Sequence, residues 1–112
     1  NWERTAETAD RVSQPLALSF HSAMHRSEQQ AMFAISALDF GDYAMAISLL
    51  KRALQELNSC FALLSQDENP TKALARYQAH ATPRLFDLRE IWLRVMSECR
   101  EELRRPSEDD ED

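Results

Sequence analysis

At 112 residues the chain has room for one domain with a single core, and its 44% hydrophobic and 29% charged residues exclude wholesale disorder. One Gly and four Pro are too few turn residues for an all-β fold, so helices are the default. The net charge of −6 gathers at the C-terminal end: residues 107–112 hold five of the 19 acids, and the other 14 balance 13 basic residues, a neutral body that argues against a general nucleic-acid binder.

No apolar run approaches the ~18 residues of a membrane span, and no apolar core follows a basic start as in a signal peptide. The chain begins at Asn1 rather than Met, the start expected of an excised piece. Trp2, Ala6, Ala9 and Val12 recur at helical spacing over residues 2–13. Ser13 and Pro15 then form a cap and first-turn pair for a long helix to about residue 39, with Leu16, Phe20, Met24, Ala31, Ile35 and Leu38 on one stripe. Ser27-x-x-Gln30 has the form of a capping box, so a restart near residue 28 competes with continuity, and continuity is the expectation.

Asp39-Phe40-Gly41-Asp42 holds the one Gly, placed to end a helix in the left-handed region, and Asp42 is suited to cap the next. Tyr43, Ala46, Ile47, Leu50, Ala53, Leu54, Leu57, Phe61 and Leu64 predict a strongly amphipathic helix of about six turns. Asn69 and Pro70 read as the cap and first turn of a short helix carrying Ala73, Leu74 and Tyr77. Thr82-Pro83 then starts or kinks a last helix, with Leu85, Leu88, Trp92, Val95, Cys99 and Leu103 on its stripe and Arg104-Arg105-Pro106 at its end. The expected fold is all-α, an antiparallel bundle of four or five helices around a tight hairpin, with residues 1–106 as one domain and 107–112 as a disordered acidic tail.

The stretch from Ala34 to Leu54 resembles a tetratricopeptide helical hairpin. Ala34, Ala46 and Ala53 match the small residues where two antiparallel helices touch, and Gly41-Asp42-Tyr43 matches the turn. The pattern does not return one repeat later, where Glu68 stands in the place of Ala34, which disfavours an array. Microtubule-interacting-and-trafficking domains, with an x-Gly-x-Tyr-x-x-Ala turn, are also similar, as is the helical segment of the large subunit of pre-mRNA cleavage factor I around Gly41-Asp42-Tyr43-x-x-Ala46-Ile47. The first two resemblances imply docking of other proteins; the third implies a helical subunit of an RNA-processing complex. None transfers a ligand-binding residue.

The chemistry of the chain is sparse. His21 and His25 have the spacing of a metal-binding pair but no visible third ligand, and His80 stands alone, so no metal and no cofactor is expected. Cys60 and Cys99 lie far apart on apolar faces without a Cys-x-x-Cys, and read as buried thiols in a reducing compartment, nuclear or cytoplasmic. No phosphate loop, nucleophile elbow or paired-carboxylate signature is present, so no catalytic residue is expected. Arg100, Arg104 and Arg105 interleave with Glu98, Glu101 and Glu102 as a solvated salt-bridge face. Ser107, followed by five acids, has the form of an acidophilic kinase site, and the same segment reads equally as a solubilising linker.

What remains is a set of apolar residues left over once each core stripe is filled. Phe33 and Phe40 fall opposite the stripe of the first long helix, Met45 and Leu49 lie off the centre of the next, and Phe86 and Leu93 flank the last. Surplus aromatics and Met mark association surfaces. The expected function is therefore a non-enzymatic adaptor or scaffold domain that docks a partner helix or a second copy of itself, with no direct nucleic-acid binding and no membrane insertion. The alternatives are the RNA-processing subunit and, more remotely, a small metal-dependent enzyme.

Overall fold

The computed structural model describes residues 12–66 and 70–106. Helix α1 spans Gln14–Asp39: the Leu16 amide donates to Ser13 Oγ at 3.3 Å, and Pro15 occupies the first turn, where a missing N–H is no loss. The helix expected over residues 2–13 falls almost wholly outside the described residues; Val12 and Ser13 are not helical. There is no restart near residue 28, because Ser27 is fully buried and its hydroxyl donates to the Ala53 carbonyl of the neighbouring helix at 2.8 Å. A serine that looks like a cap in sequence is a clamp between two helices.

Gly41, at φ +73°, turns the chain, a conformation that costs a residue with a Cβ about 1 kcal/mol or more. Asp42 Oδ1 then accepts the Met45 amide at 3.0 Å and opens helix α2, Tyr43–Leu64. Thr71, rather than Asn69, caps the next helix, its Oγ1 accepting from Leu74 at 3.1 Å; Asn69 lies outside the described residues. Helix α3 runs unbroken over Lys72–Arg104, so the two helices expected on either side of Thr82-Pro83 are one. Pro83 has no N–H for the Ala79 carbonyl, but both residues are exposed and water can serve that oxygen. Leu74, Tyr77, Ala81, Leu85, Leu88 and Trp92 keep one helical register across the proline, and their burial holds the two halves in line.

The described residues thus form three helices and no strand, not the four or five expected, in an up-down-up bundle. The α1 and α2 backbones lie close along their length, with Ala23, Ala34, Ala46 and Ala53 each at most 1% exposed in the seam. Helix α3 packs on the other side of α2 through larger side chains, including Leu85, Trp92 and Met96. Helices α1 and α3, which run parallel, meet through side chains such as Phe20 and Tyr77, whose rings stand edge to face at 5.5 Å. Gln78 of α3 donates its amide to the Leu64 carbonyl, closing the C-terminal end of α2. Two residues expected in the core are not there: Ile35 is 59% exposed and Leu103 53%. Ile35 continues the stripe of Met24 and Glu28 toward α3, and the α1 and α3 backbones stay too far apart to close over it.

Candidate functional site

The six leftover apolar residues sit on two separate flanks of α2. The first flank is fixed by the ion pair between Arg26 of α1 and Glu56 of α2, Nε to Oε2 at 3.0 Å. Phe33 lies two turns after Arg26, and Leu49 two turns before Glu56, so both fall on that side of the hairpin, nearer its tip. Phe40, seven residues beyond Phe33, and Met45, four before Leu49, extend the same flank to the turn. Phe33, Phe40 and Met45 are 56%, 88% and 50% exposed, and Leu49 is half-buried against the core.

The second flank is the groove between α2 and α3 on the side away from α1. Its anchor is the tilted pair Phe61 and Phe86, ring centroids 4.8 Å apart, beside Leu64, Gln78 and Thr82. Leu93 is seven residues after Phe86 and continues that wall; on α2, Leu54 and Ile47 continue the wall of Phe61 at the same interval. Phe86 and Leu93 remain about half exposed, while Leu54 and Phe61 are half-buried and Ile47 is buried. Exposed Ser48, Arg52, Gln55 and Ser59 form the polar ridge of α2 that separates the two flanks. Helical spacing showed that these side chains leave the core stripes; which flank each belongs to depends on how the helices are paired, and periodicity does not carry that.

A third groove, about 610 Å³, opens between α1 and α3 and includes Phe20, Met24, Tyr77 and Leu88. His21 and His80, both exposed, stand at its rim, whereas His25 is exposed outside it. Among the described residues no three of His, Cys, Asp and Glu gather where they could hold a metal ion. Beyond this groove lie exposed Met32 and Ile91, which the sequence reading did not select, and Ile35, which it placed on the core stripe. The signal of Met32 and Ile91 was faint, since each is flanked by residues on a stripe that elsewhere goes into the core.

Cys60 and Cys99 are free thiols and both are buried. Burial, with a smaller contribution from Glu56 that Arg26 partly offsets, pushes Cys60 up to about 11. Cys99 is pushed up as well, by burial first and then by Glu98 and Glu102. Ser107 lies outside the described residues.

The described part of the chain is therefore an all-helical bundle built on a tight hairpin, carrying exposed apolar side chains on both sides of its central helix. A family model described as the Vta1 C-terminal domain matches residues 22–58, about a third of the chain, running from α1 through the Gly41 turn into α2. The match supports a helical family in general and none of the tetratricopeptide, microtubule-interacting-and-trafficking and cleavage factor resemblances in particular. No curated protein matches the chain, and no solved structure does. No helix among the described residues is long and apolar enough to cross a membrane.

Proposed function

We propose that the chain is a non-enzymatic protein-interaction module, an adaptor domain that docks a partner helix or a second copy of itself within a larger trafficking assembly. The observation that carries this reading is the exposure of Phe33, Phe40, Met45, Phe86 and Leu93, which helical spacing places on two flanks of α2. Covering such side chains is worth roughly 25 cal/mol per Å² of apolar surface, and a partner is what can supply the cover. The similarity of the hairpin to the C-terminal domain of a vacuolar protein-sorting adaptor supports the trafficking context.

The test is retention from native extract by the immobilised parent, Phe33→Ser and Phe86→Ser chains, with circular dichroism of each. The expected result is a discrete partner, or a second copy, held by the parent and lost by at least one variant that keeps parental helicity. Identical retention by all three chains counts against the reading, as does loss of helicity in both variants, which would make these rings core.

A further inference from the structure

The base of the bundle, the end away from the Gly41 turn, carries an open trough that none of the six leftover apolar residues lines. It begins where α1 begins, between Val12, Leu16 and Leu74, with a volume of about 580 Å³ there. A second stretch of about 700 Å³ follows the seam of α1 and α2 from Leu18 to Arg26. Both stretches are lined by Ser19, Leu63 and Gln66, so they form one continuous channel. Among the described residues lining it the one charge is Arg26, which the Glu56 carboxylate already answers at 3.0 Å. Leu18 is 64% exposed on its rim, and Leu63 is half-buried on its wall. Toward Arg26 the walls are small, with Ser22 and Ala23 on α1 and Ser59 and Ala62 on α2. The Ser59 hydroxyl donates to the Gln55 carbonyl at 3.3 Å and so needs nothing from an occupant.

We infer that residues 1–11 of the chain itself occupy this trough, as an amphipathic strap laid antiparallel to α1. Position favours them: Val12, to which they are joined, already lines the trough, so the chain enters α1 from within it. Val12 and Ser13 are non-helical, with Ser13 at ψ 142°, and a two-residue connection is enough to turn one helix back on another. Length agrees. Eleven residues in helical form span about 16 Å, and on the same rise per residue the trough runs about 17 Å from Pro15 to Arg26. Charge agrees too. At helical spacing Trp2, Thr5, Ala6 and Ala9 share one side, while Glu3, Arg4, Glu7, Asp10 and Arg11 fall on the other. An uncharged face thus meets a trough whose one charge is already paired.

Laid this way, Ala9 comes against Leu63, and Trp2 against the small walls at Ser22 and Ser59, where an indole has room. The other stretches outside the described residues do not fit: 107–112 holds five acids and no apolar side chain, and 67–69 is three residues long. A tether of two residues holds the strap at an effective concentration on the order of millimolar, an advantage that no separate chain has. The strap covers the α1/α2 flank at the base of the bundle and ends before Phe33, Phe40 and Met45, which lie nearer the turn. Seating of the strap is therefore independent of the interaction module, and a docked partner and a seated strap can coexist.

Trp2 fluorescence of the full chain tests this, with Trp92→Phe leaving Trp2 as the one indole and circular dichroism confirming the fold. Where Trp92→Phe unfolds, the difference between the parent and Trp2→Phe supplies the same signal. The expected result is emission shifted to the blue, with acrylamide quenching several-fold weaker than for N-acetyltryptophanamide and unchanged on dilution. The double variant Ser22→Glu with Ser59→Glu, both at exposed positions, should return Trp2 to the quenching of the free indole at parental helicity. If the double variant loses helicity, Leu18→Glu on the exposed rim gives the same reading. Phe33→Ser should leave Trp2 unchanged. A Trp2 quenched in the parent like the free indole would overturn the inference. So would protection that survives the trough variants, which would seat Trp2 elsewhere, or protection lost on dilution, which would give the trough to the strap of a second copy.

Discussion

Ala46 and Ala53 have no accessible surface at all, and they set how close α1 and α2 can come. With the Ser27 hydroxyl held on the Ala53 carbonyl, the seam has no room for a larger side chain. Ala53→Leu should therefore lower unfolding free energy by about 1–3 kcal/mol, read as a lower urea midpoint at unchanged slope; a parental midpoint would refute the seam. Cys60 leads to a pH dependence instead. Its pKa is raised from 9.0 to about 11 in the folded chain, so its neutral thiol favours the fold fully below about pH 9. That contribution is lost as pH climbs from about 9 toward 11, since the unfolded chain can ionise where the folded one resists. Urea midpoints should fall across this window in the parent and fall less in Cys60→Ala, measured against the same variant at pH 7. Ser27 and Ile35 show the limit of residue-level reading. Each is placed by what stands opposite it on another helix, and neither capping patterns nor helical spacing contain that neighbour.

At the scale of elements, the hairpin was legible because three local signals agree: one Gly with positive φ, an Asp that caps, and apolar recurrence on both sides. Helix α3 was not, because two local signals conflict. Thr82-Pro83 says stop, while the stripe running from Leu74 through Leu85 to Trp92 says continue, and burial along that stripe outweighs one missing hydrogen bond. An interior proline still costs a helix about 3 kcal/mol relative to alanine, part of which its stiffness returns by restricting the unfolded chain. Pro83→Ala should accordingly stabilise the protein by about 1–2 kcal/mol, seen as a higher thermal midpoint. A lower midpoint would mean that the proline shapes α3 for packing and does not merely survive in it.

Across the whole molecule, α2 is the element that both neighbours need, and the candidate surfaces follow from that placement. The bundle divides the six apolar residues chosen from the sequence between two flanks separated by the polar ridge of α2. Composition told that apolar side chains were in surplus. The angle at which α3 joins the hairpin, a tertiary quantity, decided where the surplus went.

The two connections of the bundle differ in length: α1 reaches α2 through Phe40, Gly41 and Asp42, whereas α2 reaches α3 across Ser65–Thr71. A shorter loop loses less chain entropy on closing, and the hairpin's contacts near the turn are the most local in the fold. The alanine seam should consequently form early in refolding, with α3 docking after the main barrier. Stopped-flow circular dichroism in urea should then show Ala53→Leu acting mainly by slowing folding, and Trp92→Ala acting mainly by speeding unfolding. Equal division of both effects between the two rates would instead mean that all three helices condense together.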